Sequence, residues 1–384
     1  MPVRPFTAVL PSALLAISLV ACGSSAAPAS SSPAAAAGKP AASTAPADAA
    51  SAGAKPATGA SASAKPAAAA SGSAAAKPGN LTKLEFGATA LTAFNWPEYV
   101  AENKGFWKDQ GLDVQRTIFQ TDSQNIQALV SGSVNVSQAT IDVIIRADST
   151  AKNNDIKMVA GNVSDPPYAI VTKPDISTWK DLAGKQVAVT DLTGGSTVLL
   201  KKALAANGVD PKSVTMISSG GTSNRLAALK SGAVSFTILA QPQSYEAQDG
   251  GYKILGLTTD YVKDFQFTGY NVSEKWAGGH QQDLIGFLKG IDKGVKWLYD
   301  PANKAEAVKI LSTALKSSNT SAFEKTWDLY FKDNGNIIPK NSAVNVNGTE
   351  VVIQAMADDG ELKQPLPKAQ DFIDSSYLQK AGIS

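Results

Sequence analysis

Two stretches of this chain repeat one another at an offset of 100 residues, and that repeat limits its possible folds more than any other feature. Ser123–Val134 (SQNIQALVSGSV) aligns without gaps on Ser223–Val234 (SNRLAALKSGAV). Ser123/Ser223, Ala128/Ala228, Leu129/Leu229, Ser131/Ser231, Gly132/Gly232 and Val134/Val234 are identical, and Ile126/Leu226 is conservative. Each copy reads as the same unit: a polar cap opens a short helix with an apolar stripe, glycine ends it, and a strand follows. One copy per lobe of a two-lobe protein is the simplest account. Chance similarity between two common helix–glycine–strand units is the alternative.

The rest of the chain from Leu81 onward alternates short apolar strands with amphipathic helices, the pattern of an α/β architecture with mostly parallel sheets. Leu284, Leu288, Ile291, Val295 and Leu298 form a stripe of helical period. Further helices are expected over Ala305–Leu315, Ser321–Asp333 and Thr349–Asp359.

Not all of the 384 residues can join such a body. Residues 23–80 hold no aromatic and no large aliphatic side chain, so they cannot bury a core. Lys-Pro pairs at 39–40, 55–56, 65–66 and 77–78 interrupt any helix that alanine would favour. The tract reads as a disordered spacer with an end-to-end distance of about 40–45 Å; a partner-binding tail is the other reading. Ahead of it, Arg4 and the apolar run Phe6–Val20, broken by Pro11, suit an export signal over 1–22 and are too short to span a membrane. Leu19-Val20-Ala21-Cys22 before Gly23 resembles a bacterial lipobox, with Cys22 as the acyl acceptor. An ordinary secretory signal would leave the cysteine there by chance. Cys22 is the single cysteine, so no intrachain disulfide forms and no thiolate remains for catalysis.

The formal net charge of +2 misleads. Arg4 carries one positive charge and Lys39, Lys55, Lys65 and Lys77 against Asp48 carry three more, which leaves about −2 for the folded part. No nucleic-acid surface is expected from that balance. His280 is the single histidine and stands in Gly278-Gly-His-Gln281 before a helix, with no Gly-x-Ser-x-Gly elbow anywhere in the chain. One histidine and one cysteine cannot supply a zinc or iron shell, and no cofactor fingerprint appears. The expectation is a protein that is not an enzyme and carries neither metal nor cofactor.

The run Tyr99–Val114 (YVAENKGFWKDQGLDV) resembles the opening of the nitrate/sulfonate/taurine-type substrate-binding proteins, a family that also holds binders of thiamine pyrimidine precursors. Asp181-Leu-Ala-Gly-Lys185 with the strand Gln186–Thr190, Asn207-Gly-Val-Asp-Pro211, Gln241-Pro242 and Asp371–Tyr377 fit the same family in order. The resemblance implies a type II periplasmic-binding fold, two α/β lobes joined by two crossover segments. Lobe one would cover 83–171 and 269–384 and lobe two 172–268, with crossovers near Tyr168–Lys173 and Phe265–Tyr270. The pyrimidine-precursor synthase on this fold needs cysteines and histidines that are missing here.

Ligands of open α/β sheets gather beyond the carboxyl ends of the strands, at helix N-termini. Four loops meet that description. The first holds Thr89 and Thr92 and leads into Phe94 and Trp96. The second, Gln138 to Thr140, follows a strand over Val134–Ser137. The third carries Thr193, Gly194, Gly195, Ser196 and Thr197, and the fourth Gly220, Gly221 and Thr222. Glycine lets backbone approach a ligand, and hydroxyls with free N–H groups suit an oxyanion, although plain helix capping needs the same residues. Phe94 and Trp96 either stack on a planar ligand or pack beneath the first helix. Asp165 either binds an amine or shapes a turn. Gln241 either reaches ligand or shapes the crossover. None of the four loops holds an Arg or Lys, which points to helix-terminus recognition or to an uncharged ligand. The resulting expectation is a monomeric extracytoplasmic lipoprotein, held to the cell membrane through Cys22, that captures a small-molecule solute and passes it to ABC permease subunits. A sensory or adhesive surface lipoprotein, or an enzyme acting on a small metabolite, is the alternative.

Overall fold

The computed structural model describes residues 80–151, 155–332 and 337–383. The export segment 1–22, the acyl acceptor Cys22 and residues 23–79 of the spacer lie outside the described residues.

Two sheets of the same design carry the body. The first is built from β1 (Thr82–Ala88), β2 (Leu112–Ile118), β3 (Val136–Thr140), β4 (Ile156–Ser164) and β10 (Gln266–Ser273) in the order β2-β1-β3-β10-β4. The second is built from β5 (Ala169–Thr172), β6 (Gln186–Val189), β7 (Thr215–Ser218), β8 (Phe236–Leu239) and β9 (Lys253–Leu257) in the order β7-β6-β8-β5-β9. In each, three parallel strands are followed by an antiparallel one that the chain inserts from the other half. Phe86 opposite Val136 and Val187 opposite Phe236 are equivalent pairs in the two sheets. The inner strands β5 (AIVT) and β8 (FTIL) are buried along their whole length, whereas the edge strands β2 and β7 are partly exposed.

The helices α2 (Asp122–Val130) and α3 (Ile141–Ala151) pack on the first sheet and α5 (Thr222–Lys230) and α6 (Gln243–Asp249) on the second, while α1 (Trp96–Asn103) follows β1 and α4 (Gly195–Ala206) follows β6. After β10 come α7 (Glu274–Gly279), α8 (Gln281–Leu298), α9 (Lys304–Leu315), α10 (Thr320–Trp327), α11 (Val346–Asp358) and α12 (Ser376–Ala381). The repeated segment lands on α2–β3 and α5–β8. Both helices end in a glycine with left-handed backbone, Gly132 at φ 76° and Gly232 at φ 80°, and Val134 and Val234 are both buried beyond it. The repeat is therefore architectural.

Three boundaries depart from the sequence expectation. Gln138–Thr140 is strand rather than loop, because β10 pairs across it and places Tyr270 opposite Gln138 and Thr268 opposite Thr140. The helix expected to run to Asp333 stops at Trp327, and a π turn over Asp328–Lys332 follows that buries both Tyr330 and Phe331. The chain crosses between sheets at 165–168 and 258–265, a few residues before the segments named from the sequence, since β5 and β10 already occupy those. Asp165 ties the two crossings together. Its N–H donates to the Phe265 carbonyl at 2.9 Å, and its Oδ1 accepts from the Phe265 N–H at 2.7 Å. Its φ of 48° is that of a tight turn.

The stripe expected on α8 is the core of the first lobe. Leu284, Leu288, Ile291, Val295 and Leu298 are all buried, and Phe287 beside them meets Phe86, Trp107 and Tyr270 at centroid distances of 5.4, 5.3 and 5.5 Å. Gly290 lets the indole in, since a Cβ there would stand 2.2 Å from Trp107 Cδ1.

Glu98 is a buried acid in this core. Tyr270 donates its hydroxyl to Glu98 Oε1 at 2.9 Å, while Oε2 has no partner. Burial pushes the carboxyl from its ordinary 4.5 up to about 7, against the opposing bond from Tyr270. A raised acid stabilises the fold when protonated, so this contribution is complete below pH about 4.5 and is lost as pH climbs through 7. The shift corresponds to about 3 kcal/mol. Chemical unfolding at pH 5 and pH 8 is expected to show Glu98→Gln losing less stability between the two than the parent does, by that amount; equal losses would count against a buried neutral Glu98.

Candidate binding cleft between the two sheets

The strand ends and helix N-termini of both lobes face one another across a cavity of about 40 Å³. That space admits a few waters. The protein's own side chains fill most of the gap. Three rings form one wall. Phe94 lies 5.3 Å from Tyr168 and 5.8 Å from Phe267, and Tyr168 lies 5.6 Å from Phe267, all edge to face. Asn95 and Gln138 form the floor, joined by a 3.0 Å hydrogen bond from Asn95 Nδ2 to Gln138 Oε1, with Asn95 Oδ1 buried and unpartnered.

The second lobe supplies the charge. Arg225, on α5, is 1 % exposed. Its guanidinium donates to the hydroxyls of Thr190 and Thr222, stands 5.7 Å from the centre of the Tyr168 ring, and has its Nε without a partner. Among the described residues no carboxylate forms an ion pair with it. Burial pulls its pKa down from the ordinary 12.5, and an arginine stays protonated in proteins regardless. A buried cation without its counter-charge is costly unless something else pairs with it.

Two helix ends point at the same place. α4 and α5 begin at Gly194 and Gly221, and neither N-cap residue has a side-chain oxygen to accept from the N–H groups of the first turn. By contrast Thr121, Ser273, Asn319 and Asn345 cap α2, α7, α10 and α11. The free N–H groups of two helices thus adjoin the cavity beside Arg225, an arrangement that favours an anion. Gly194 and Gly195 are fixed by close packing, since a Cβ would meet Asp191 Oδ1 at 2.5 Å and Asp142 Oδ1 at 2.9 Å respectively.

The first lobe sets a carboxyl opposite. Asp122 keeps some exposed surface as a residue, yet its carboxyl is enclosed. Thr89 Oγ1 donates to it at 2.5 Å and Thr140 Oγ1 at 3.4 Å. Burial pushes it up to about 7 against the bond from Thr89, and Asp142 and Asp191 add to the rise. Asp122 begins α2, whose dipole favours the ionised form by about 0.3–1 kcal/mol. That is under one pKa unit, too little to cancel the burial.

Eight of the residues named from the sequence line this cavity: Thr89, Phe94, Gln138, Gly194, Gly195, Ser196, Gly221 and Thr222. The others have structural duties. Thr92 caps the turn Ala93–Asn95, and Trp96 is buried with its indole N–H on the Ala307 carbonyl at 3.0 Å. Thr140 acts through Asp122, and Thr197 Oγ1 donates to the Asp191 carbonyl at 2.6 Å. Thr193 offers its carbonyl to Arg146 at 2.7 Å, Gly220 makes a left-handed turn at φ 79°, and Asp165 joins the crossings. Gln241 donates to the Pro167 carbonyl at 2.5 Å and accepts from the Tyr330 hydroxyl at 3.2 Å, which shapes the crossover. Asn95 and Asp191, which stand in the first and third of those loops, also line the cavity, as do Asp122, Tyr168, Thr190 and Arg225, which were not among the expected contacts. The four loops hold no Arg or Lys, as read, but Arg225 enters the cleft from the body of α5, just past the fourth loop. The signal was present: Thr222, Arg225, Leu226 and Leu229 share one buried face, and an arginine on such a face asks for a partner.

Polar bonds bridge the lobes at the rim. Arg146, held by Glu361 at 2.8 Å and Asp142 at 3.3 Å, reaches the Thr193 carbonyl, Lys201 pairs with Asp359 at 2.8 Å, and Asn224 donates to Gln120 at 3.0 Å. His280 lies away from the cavity lining, between α7 and α8, stacked on Trp276 at 5.1 Å.

The profile of the family described as NMT1/THI5 like matches residues 95–305, more than half of the chain. The chain belongs to the NMT1/THI5-like family. This NMT1/THI5-like protein is 20 % identical over 302 residues to YtlA of Bacillus subtilis (strain 168), covering 77 % of this chain and 89 % of that one. Among solved structures it is similar to the periplasmic nitrate-binding protein NrtA from Synechocystis PCC 6803, at 15 % identity and TM-score 0.68, over 79 % of this chain and 88 % of the other. It also resembles the ligand-binding component of an ABC-type import system from Staphylococcus aureus, at 14 % identity and TM-score 0.65, over 79 % and 100 %. The aliphatic sulphonate binding protein SsuA from Escherichia coli matches at 17 % identity and TM-score 0.59, over 76 % and 92 %. At such identities the likeness establishes the two-lobe periplasmic-binding fold. The three structures are named as binding components.

Proposed function

We propose that this NMT1/THI5-like protein captures a small solute bearing an anionic group between its two lobes and delivers it to an ABC importer from a lipid anchor at Cys22, outside the cytoplasm. The working lobes are 83–171 with 269–384, and 172–268, adjusted so that β5 travels with the second and β10 with the first. One observation carries the reading: Arg225 is buried in the cleft with no carboxylate partner, beside two uncapped helix N-termini. A nitrate, sulfonate or carboxylate group supplies the missing charge, which favours helix-terminus recognition over the uncharged ligand that the loops left as the other choice. Asn95 and Gln138 offer hydrogen bonds to the remainder of the solute, and the ring wall offers an apolar face. Delivery to an importer is supported by the shared fold and by the import role in the name of the Staphylococcus aureus neighbour.

The test is a thermal-shift screen of the purified chain against nitrate, sulfonates, carboxylates, pyrimidines and cyclic amides. A binder at a hundred times its Kd stabilises by about 2.7 kcal/mol. Anionic compounds are expected to raise the melting temperature and their neutral isosteres to leave it unchanged. A neutral heterocycle as the sole hit would overturn the anion assignment.

A further inference from the structure

Asp122 shares the cavity with Arg225 but faces it from the other lobe. We infer that Asp122 is the proton-bearing partner of the solute, so that the anion is captured together with one proton. This inference rests on the anion reading of the cleft.

The charged and titratable groups around Asp122 come from every element packed against it. Asp142 approaches from α3 and is itself engaged by Arg146; Asp191 approaches from the β6–α4 loop, Tyr168 from the crossing and Arg225 from α5. Thr89 and Thr140 give it hydroxyl bonds and no charge. With Asp122 and Asp191 both ionised, the lining holds two negative charges against one guanidinium, and an arriving anion makes three. The uncapped ends of α4 and α5 contribute roughly half a positive charge each. Arg225 and those two ends then balance two negative charges and no more. A proton on Asp122 removes the third and converts a repelling oxygen into a donor for the anion. Asp142, buried as well, already has the Arg146 cation beside it at 3.3 Å to balance its charge. An anion entering next to Asp122 raises its proton affinity further, and linkage then requires proton uptake on binding.

The decisive measurement is calorimetric titration of the full chain with nitrate and with methanesulfonate, anions of strong acids that do not themselves titrate. Titrations at pH 6 and pH 8, each in two buffers of different ionisation enthalpy, give the protons taken up. The parent protein is expected to take up close to one proton per anion near pH 8 and to bind roughly tenfold more weakly at pH 8 than at pH 6. Asp122→Asn is expected to show no uptake and a flat profile. Binding without pH dependence in the parent overturns the proton coupling and leaves the anion site standing. A slope that survives in Asp122→Asn places the proton elsewhere and overturns it equally. Failure of both anions to bind at any pH removes the anion site, and the coupling with it.

Discussion

Replacing Arg225 with methionine is expected to weaken capture of a small anion by at least about a hundredfold, which is the loss of one or two charge-assisted hydrogen bonds. The same substitution is expected to leave the melting temperature unchanged or raise it. The guanidinium is buried with hydroxyls and an aromatic ring as its direct partners and no carboxylate in an ion pair with it, so the ligand-free protein offsets its desolvation only through the more distant Asp122 and Asp191. An apolar side chain of similar length removes that cost. Binding and stability should thus move apart, a combination that damage to the fold does not produce. Arg225→Lys is expected to recover only part of the affinity, because a point charge cannot reproduce the planar fork that spans Thr190 and Thr222. Calorimetry with an anion from the screen and a melting curve of each variant decide the matter. Unchanged affinity in Arg225→Met would remove the central claim about the cleft.

Phe287→Ala is expected to be the most damaging single truncation in the first lobe, at about 3–5 kcal/mol. The ring sits at the junction of sheet and helix, with Trp107 stacked on it at 16° and Phe86 and Tyr270 against its other sides. The indole cannot fall into the hole, because its N–H is bonded to the Phe287 carbonyl at 3.1 Å and Gly290 already receives its edge. A void that cannot collapse carries the full cavity penalty. Denaturant unfolding should show the loss in the midpoint; a change below 1 kcal/mol would mean that the cluster repacks.

The sequence disclosed this architecture wherever local chemistry decides it. The α8 stripe, the repeated helix–glycine–strand unit and the glycine-led starts of α4 and α5 are short-range patterns, and each formed as read. Residues set by long-range pairing were not legible. Gln138–Thr140 looked like a loop because its polarity is that of one, and it is strand because β10, which follows more than a hundred residues later, pairs with it. The crossings were misplaced by a few residues for the same reason. In the cleft, loop position located the glycines and hydroxyls, but Arg225 and Asp122 contribute from helices, where a charged side chain ordinarily faces water. Only the opposing lobe turns those positions inward.

The insertion of β10 between β3 and β4 has a consequence for how the protein is made. A ribosome delivers residues 169–257 as one unbroken run, so the second sheet can close soon after it emerges. The first sheet must wait. Its β3 and β4 meet only through β10, which begins about a hundred residues after β4 ends, and until then both present unpaired edges of the kind that recruit other nascent chains. The stretch of translation between those two strands is the interval in which a holding chaperone has most to protect.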